Sequence, residues 1–363
     1  MRVALLDLPS YTPPYDHSLA EALARRGHDV VLLTSRFPYG DAPRPERYRR
    51  DELFFPVSGR LRRAAPRLRA HRVVKALEYL PSVGRLQRRL RELDPDVVHV
   101  QWLALPKRDL RWLRALELPK VFTAHDVLGR RRARRETWLA VCRAADRVVV
   151  HADAGRDELV AAGVDAQRVV VIPHPVFDQS AQEPSPPNGT TLLFFGLLRA
   201  YKGVDVLIRA LPEIPGARAV IAGDPLDPVE PLQRLARAEG VADRIDWRLG
   251  FRPDAEIAQL LSEAACVVLP YRNAGSSGVL AAALGHGRPV VISDIGGLAE
   301  NVREYSAGRL VPPDDPAALA EASRELLADL RPAYEGALRA RAALSWDAAA
   351  EAHERLYASL RRS

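Results

Sequence analysis

Several residue types are scarce in this chain of 363 residues. It has two cysteines, Cys142 and Cys266, and both lie in apolar stretches. A disulfide is therefore unexpected, a reducing cytoplasm is indicated, and a cysteine-based metal site is improbable. No apolar run reaches 18 residues, which argues against a membrane-spanning helix. The first strand begins at Arg2, so no signal peptide is expected ahead of it.

Lysine is also scarce, because only four of the 53 basic residues are lysines. The net charge is +7, and arginines cluster in the runs Gly59–Arg72 and Arg130–Arg135. Such runs either bind phosphates or anionic lipid or form a solvated face, and the sequence leaves both open. No zinc finger, helix-turn-helix signal or RNA-binding aromatic pattern is present, so nucleic acid is not an expected partner.

What the chain does have is an alternation of apolar strands with amphipathic helices. Runs of Val, Ile and Leu, as in Arg2–Leu8, indicate strands covered on both faces, typical of a parallel sheet. The alternation stops at a polar, proline-rich stretch, residues 178–190, and then restarts. We predict an α/β protein with two doubly wound, Rossmann-like domains, 1–177 and 191–344, joined by this linker. A terminal helix is predicted over 345–363.

Ligands of open α/β sheets bind at the carboxyl ends of the strands, so we expect the site in a cleft where two such edges face each other. Neither a dinucleotide fingerprint nor a Walker loop is present. The stretch after the strand Leu192–Phe195 instead offers a turn at Gly196, the cations Arg199 and Lys202, and a helix start at Gly203. This arrangement predicts an anion site. The alternative is that Lys202 is a solvated loop lysine.

A second loop has similar properties. The turn from Gly275 to Leu280 follows a strand, precedes a helix of small residues and carries the hydroxyls of Ser276 and Ser277. Successive backbone N–H groups in such a turn can hold a phosphate, although glycine-serine turns are equally common as helix caps. Two such loops in one domain point to a diphosphate.

These motifs resemble those of a known family. The stretches "FFGLLRAYKGVDVLIRAL", "LGFRPDAEIAQLLSEAACVVLPY" and "GVLAAALGHGRPVVISDIGGLAENV" are similar to the nucleotide-binding half of the retaining GT-B glycosyltransferases of glycosyl transferase group one. "LAEALARRGHDVVLLT" and "FTAHD" match the first half more loosely. The resemblance implies a GT-B fold, an acceptor-binding first domain, a second domain that binds the nucleotide sugar, and a terminal helix that returns to the first domain.

The resemblance also implies roles for single residues. Arg199 and Lys202 would neutralise the donor diphosphate as it leaves, and Phe251 and Arg252 would flank the base. No metal or cofactor is expected, since the nucleotide-binding half has no Asp-x-Asp motif. Backbone donors to the phosphate are expected from the turn and from the first loop, at Gly196, Ser276, Ser277, Gly278, Val279 and Leu280.

In the first domain, the resemblance places His125, and with it Asp126, near the transferred sugar and the acceptor. The alternative is a structural histidine at a strand end. Asp16 and His17 are expected to open the first long helix, near the phosphates and the acceptor. Asp16 could equally be a plain helix N-cap.

Two family glutamates are missing from this chain. Alignment on "GRPVV" puts Ala274 and Ala282 at the positions that meet the sugar and the ribose. Losing a charged hydrogen bond to ribose costs about tenfold to a hundredfold in affinity, unless Asn273, Ser276 or Ser277 compensates. Ala274 and Ala282 indicate an unusual donor, weak binding or lost activity.

The expected function is retaining, metal-independent transfer of a sugar from a nucleotide-diphosphate sugar to a hydroxyl acceptor. The acceptor is a glycolipid, a polysaccharide or a natural product, and a lipid-linked one would be reached by peripheral contact of the basic first domain with the inner face of the membrane. The alternative is a catalytically degenerate protein that acts as a binding or partner subunit. An epimerase or hydrolase of this fold would need carboxylates that the sequence does not place.

Overall fold

A computed structural model describes residues 1–37, 40–64, 70–127, 132–177 and 183–360 of the chain. The chain divides into two compact units. The first unit contains Met1–His151, Arg156–Ile172 and Trp346–Ser363, and the second contains Ala152–Gly155 and Pro173–Ser345. The arginine-rich runs at 59–72 and 130–135 lie largely outside the described side chains, so their role stays a prediction.

Strands within the described residues form two sheets in which all neighbouring strands are parallel. Their bounds are β1 Arg2–Asp7, β2 Asp29–Ser35, β3 Arg49–Phe54, β4 Val97–Trp102, β5 Lys120–Thr123, β6 Arg147–Val150, β7 Val169–Val171, β8 Thr191–Phe195, β9 Arg218–Gly223, β10 Ile245–Leu249, β11 Cys266–Leu269, β12 Val290–Ser293 and β13 Gly308–Val311. The first sheet has the order β3-β2-β1-β4-β5-β6-β7 and the second β10-β9-β8-β11-β12-β13. The predicted α/β fold is confirmed.

Helices cover the faces of both sheets, which explains why most strands are continuously apolar. The helices of the described residues are α1 Pro13–Arg25, α2 Pro56–Ala64, α3 Ala70–Leu93, α4 Pro106–Ala115, α5 Arg132–Ala144, α6 Asp153–Ala161, α7 Val204–Ala210, α8 Glu230–Ala238, α9 Asp254–Glu263, α10 Gly278–Gly285, α11 Glu300–Tyr305, α12 Pro316–Ala328, α13 Arg331–Ala343 and α14 Trp346–Leu360.

The strand order reverses once in each sheet. In the first sheet β1 lies between β2 and β4, and Leu5 pairs with Leu32 on one side and His99 on the other. In the second sheet β8 lies between β9 and β11, and Leu192 pairs with Ala219 and Cys266. Ligands of doubly wound sheets bind beside such reversals, at the carboxyl ends of the strands. The loops after β8 and β11 are therefore where the second sheet should bind a ligand.

Three elements of the first unit were not predicted, namely β3, α2 and α4. The β3 sequence "RRDELF" is charged and mostly solvent-accessible, as suits a strand at a sheet edge, so it lacks the apolar run that marks the other strands. The start of α1 was also placed too late, because the helix begins at Pro13 with Thr12 as its N-cap residue. The suggestion that Asp16 is the N-cap is therefore wrong.

Two segments near the boundary between the units have defined contacts. Helix α14 belongs to the first unit, where Asp347 pairs with Arg25 of α1 at 2.9 Å. Residues 183–190 have no regular secondary structure, as expected of a linker. They nevertheless make specific contacts within the second unit. The Tyr334 hydroxyl donates to the Pro184 carbonyl at 2.6 Å, and Arg288 donates to the Ser185 carbonyl.

Candidate functional site

Glycines hold the loop after β8 against the ends of the neighbouring strands. Gly203 has φ +68°, and a Cβ there would lie 1.9 Å from the carbonyl oxygen of Pro270, just after β11. Gly223, at the end of β9, has φ +140°, and a Cβ there would lie 1.9 Å from the carbonyl oxygen of Gly196. Only glycine satisfies both the backbone angle and the space.

Lys202 lies inside this loop with 8% of its surface exposed, so the solvated-lysine alternative is wrong. Its Nζ atom is 4.9 Å from the ring centroid of Tyr271, a cation–π distance. A Cβ built on Gly196 would lie 3.0 Å from this Nζ and 3.1 Å from Cγ2 of Val279 in the first turn of α10. The Lys202 ammonium therefore lies next to both the Gly196 backbone and the start of α10.

Arg199 is placed differently from Lys202. It is exposed and directly precedes the short 3-10 turn Ala200–Lys202. Its guanidinium makes no hydrogen bond or ion pair with the described part of the chain. The exposed cation is available to a ligand, and its predicted pairing with Lys202 on a diphosphate stays a prediction.

Arg272 fixes the position of this loop and was missed by the sequence analysis. Its guanidinium donates to both carboxylate oxygens of Asp205, at 3.0 and 2.7 Å, and to the carbonyl of Ala200 at 2.6 Å. The hydrogen bonds to Asp205 raise the pKa of Arg272 above its ordinary value. Asp227 accepts from the Ala200 N–H at 2.9 Å on the other side. The 3-10 turn that carries Lys202 is thus held by side chains from two other segments, and Asp205 in turn orients Arg272.

Helix α10 begins opposite this loop with an N-cap at Ser277, whose Oγ accepts from the Leu280 N–H at 3.3 Å. The Ser277 hydroxyl is therefore a helix cap, which was the alternative to phosphate binding for this turn. The N–H groups of Gly278 and Val279 have no acceptor within the described residues. Unpaired N–H groups at a helix start carry partial positive charge and attract anions. The two predicted anion loops are thus neighbours in the structure, joined through the Val279–Gly196 approach.

The alanines that replace the family glutamates flank this turn. Ala274 is 9% exposed and Ala282, inside α10, is 8% exposed. Behind the turn, a Cβ on Gly297 would lie 2.6 Å from the Gly275 carbonyl oxygen. The turn is therefore closely backed, and both alanines are largely buried; that they replace two family glutamates stays a prediction.

Phe251 and Arg252 follow β10, as predicted, but they differ in availability. Phe251 is 62% exposed. The Arg252 guanidinium donates to the Leu249 carbonyl at 2.8 Å and to Glu256 at 3.1 Å. The exposed phenyl ring can stack on a base, whereas Arg252 already stabilises its own loop. Their role at the base stays a prediction.

His125 lies in the first unit, just beyond β5, within a cluster of aromatic and polar side chains. Its ring stacks on Trp102 with centroids 5.0 Å apart and meets Tyr15 edge-on at 4.8 Å. Its Nε2 lies 2.9 Å from Oε1 of Gln101, and its Nδ1 lies 3.2 Å from Nε2 of His151. His125 is therefore fixed in orientation, which suits both the catalytic prediction and the structural alternative.

Hydrogen bonding assigns the protons of this pair. The Ile172 carbonyl is an acceptor, so His151 Nδ1–H donates to it, at 3.0 Å. In a neutral ring His151 Nε2 is then an acceptor, and the His125 Nε2–H donates to Gln101 Oε1. Sequence reasoning missed Gln101 and His151, although both lie at the carboxyl ends of β4 and β6, the neighbours of β5.

Asp16 is buried rather than open to a ligand, with 1% of its surface exposed. The Thr12 hydroxyl donates to its carboxyl at 3.4 Å. Burial, and then the charge of Asp7, raise the pKa of Asp16 well above its ordinary value. Asp7 accepts the N–H groups of Tyr11 and Thr12 at 2.6 and 3.1 Å. The carboxylate of Asp7 therefore fixes the loop after β1, with the Asp16 carboxyl buried beside it.

The remaining predicted residues of the first unit lie nearer the surface. His17 is half-buried and contacts the Tyr48 hydroxyl at 3.2 Å, and burial lowers the pKa of its ring. Asp126 is exposed beside His125. Contact of either residue with an acceptor stays a prediction.

Metal and membrane features were also sought across the described ranges. No three His, Cys, Asp or Glu side chains are grouped there as a metal site would require. No helix of those ranges combines the length and the apolar character needed to cross a bilayer. Cys142 and Cys266 are both buried and unbonded, and they belong to different units.

Both halves of the chain match known families. The model of Glycosyltransferase Family 4 matches residues 15–179, and that of Glycosyl transferases group 1 matches residues 189–329. The chain is 32% identical over 247 residues to a D-inositol 3-phosphate glycosyltransferase of Streptomyces bingchenggensis, covering 60% of this chain and 54% of that protein. It is 30% identical over 308 residues to the enzyme of that name from Mycolicibacterium paratuberculosis, covering 74% and 67%.

A solved structure shows the same fold. Sucrose-phosphate synthase from Thermosynechococcus elongatus superposes with a TM-score of 0.77 over 100% of this chain and 99% of that one, at 23% identity. The chain is thus a GT-B protein and belongs to the group 1 glycosyltransferases. Its match spans little more than half the length of the Streptomyces relative.

Proposed function

We propose that this protein transfers a sugar from a nucleotide-diphosphate sugar to a hydroxyl acceptor, with retention at the anomeric carbon and without a metal. The observation that carries the proposal is the meeting of the buried Lys202 ammonium, the Gly196 backbone and the start of α10. Membership of the group 1 glycosyltransferases supports the same reaction class.

The proposed role of this point is to stabilise the departing diphosphate. Negative charge grows on the phosphate oxygens as the bond to the sugar breaks, and fixed positive groups lower the energy of that transition state. Lys202 supplies a compact ammonium, the N–H groups of Gly278 and Val279 supply a helix start, and exposed Arg199 supplies a second cation. Because a Cβ on Gly196 would already lie 3.0 Å from Lys202 Nζ, we expect the broader guanidinium of Lys202→Arg to fit less well.

The sugar and acceptor are proposed to meet His125 in the first unit. Its ring orientation is set by Gln101 and His151, so a group placed there would meet a fixed partner. The names of the relatives make a phosphorylated polyol the first acceptor to try. A lipid-linked acceptor is the second, and we propose a cytoplasmic protein that reaches it at the inner face of the membrane.

A second candidate is a partner subunit without transferase activity. The observation that favours it is the pair Ala274 and Ala282, which removes both carboxylates from the rim of the turn. The two candidates differ in whether a nucleotide binds through Lys202.

Thermal unfolding with UDP, GDP, ADP and TDP separates these candidates. At 100 times its dissociation constant, a nucleotide stabilises the fold by about 2.7 kcal/mol, a shift of several degrees. We expect one nucleotide to raise the midpoint of the wild type and of the Lys107→Ala control, which removes an exposed lysine, but not of Lys202→Ala. Absence of any shift would favour the partner subunit, and an equal shift in Lys202→Ala would refute the role given to Lys202. The nucleotide found this way would then be supplied as its sugar conjugates with each acceptor.

A further inference from the structure

Helices α2 and α3 expose an unusual amount of apolar surface. Ten large hydrophobic side chains are exposed within the described residues, and five of them lie on these two helices. Single exposed apolar residues need no explanation, but a contiguous group marks an interaction surface. The five are Val57 at 51%, Leu61 at 39%, Val73 at 66%, Leu77 at 74% and Leu80 at 75%.

Spacing places these residues on one face of each helix. Val73, Leu77 and Leu80 recur at intervals of four and three, which is one face of α3. Exposed Ala76 and Gly84 extend the same face, so its middle carries no charged side chain. Val57 and Leu61 are likewise four residues apart on α2.

The opposite face of α3 holds the hairpin to the first unit. Glu78 accepts the N–H groups of Val57 and Ser58 at 2.7 and 2.9 Å, which joins α3 to the start of α2. The buried Tyr79 donates its hydroxyl to Asp109 of α4 at 2.8 Å. The apolar row is therefore held outward by specific contacts on the other side of the helix.

Cations lie on the same helices and on the neighbouring α4. Arg60 on α2, Arg88 on α3 and Arg108 on α4 are exposed and make no ion pair with the described residues. The Arg108 guanidinium lies 5.8 Å from the ring centroid of Tyr79, so α4 contributes its charge beside α3. An apolar face on helices that also carry the exposed arginines Arg60 and Arg88 is complementary to a bilayer that carries anionic headgroups.

We propose that the outer face of the α2–α3 hairpin, defined by Val57, Leu61, Val73, Leu77 and Leu80, docks on an anionic lipid bilayer. The leucines enter the boundary between headgroups and acyl chains, and the arginines contact the phosphates. This extends the proposed function by naming the surface through which a lipid-linked acceptor is reached. The docking itself does not depend on sugar transfer.

Sedimentation of the full chain with vesicles tests the surface. We expect the protein to sediment with vesicles of phosphatidylcholine and phosphatidylglycerol, to remain in solution with phosphatidylcholine alone, and to be released at high salt. The variant Leu77→Gln/Leu80→Gln should bind the anionic vesicles at least about tenfold more weakly. Both leucines are exposed in the free protein and become buried only in the bilayer, so the variant loses apolar burial in the bound state alone. Arg60→Gln/Arg88→Gln should lose roughly fivefold for each charge removed.

The control is Val160→Gln on α6, which removes another exposed apolar side chain of the first unit and should leave vesicle binding unchanged. Failure of the wild type to bind anionic vesicles, or equal binding by the double leucine variant, would overturn the proposal. So would sedimentation velocity showing a wild-type dimer that the leucine variant dissolves, since the hairpin would then be an interface between copies. Nucleotide binding, measured by thermal unfolding, should be the same in all variants, so failure of docking is distinguishable from failure of the proposed function.

Discussion

The loops after β1 and β8 occupy equivalent places in two sheets of similar topology, yet their chemistry is opposite. The loop after β8 has glycines at both ends and two cations, one of them buried. The loop after β1 has no glycine and is held by the buried carboxyl of Asp7, beside which Asp16 is also buried. Sheet topology therefore decides where a ligand can bind, while the loop residues decide which ligand is accepted.

The largest effect is expected from a side chain at Gly203, where the β8 loop, unlike the β1 loop, lies against the backbone of another strand end. Gly203→Ala should destabilise the second unit by about 3 kcal/mol or more, since it combines left-handed strain with a clash against the Pro270 carbonyl. Gly216→Ala is the matched control, because Gly216 has φ +74° and nothing within 4 Å of a Cβ, and it should lose about 1–2 kcal/mol. Urea unfolding measures both, and equal losses would contradict the close approach.

The next largest effect, on nucleotide affinity, is expected from adding a carboxylate to the cationic site. If Ala282 marks a lost contact to ribose, Ala282→Glu should tighten nucleotide binding about tenfold to a hundredfold. Ala282→Gln is the control of similar shape without the charge, and calorimetric titration gives both affinities. A folded Glu variant that binds no better than the Gln variant would show that the alanine is not the reason for weak binding.

A smaller effect is expected at the carboxyl pair of the β1 loop. The folded pKa of Asp16 lies well above its unfolded value, so the wild type loses stability as pH rises from about 4 through the folded pKa. Asp16→Asn cannot ionise, and its midpoint of thermal unfolding should exceed that of the wild type at neutral pH, with the gap closing toward about pH 4. Exposed Asp126→Asn is the control. A gap that does not change with pH would contradict the raised pKa of Asp16.

Sequence reasoning found the β8 loop because its signals are local. A scarce lysine beside a glycine after an apolar strand needs no knowledge of distant residues, and the same is true of the Gly275–Leu280 turn. Arg272 and Tyr271 escaped notice because their partners are far away in sequence, such as Asp205 and Asp314 for Arg272. Contacts of that range depend on how the strands are ordered, which composition and periodicity do not encode.

The first unit was harder to anticipate for the same reason. His125 was singled out by a motif, while Gln101 and His151 join it only because β4, β5 and β6 are adjacent. The buried pair of Asp7 and Asp16 looked like an ordinary strand end and helix start. The β3 strand is charged because it lies at the edge of its sheet, and its sequence therefore resembles a loop.

Calorimetric titration tests most directly whether Lys202 binds the donor diphosphate. Wild type, Lys202→Ala and Lys202→Arg are each titrated with a nucleoside diphosphate and the matching monophosphate. We predict that both variants bind the diphosphate at least about tenfold more weakly than the wild type, a loss of one charge-assisted hydrogen bond. The monophosphate should be affected less. Equal affinity of wild type and Lys202→Ala for the diphosphate would contradict the account, because the buried ammonium would then not contact the ligand.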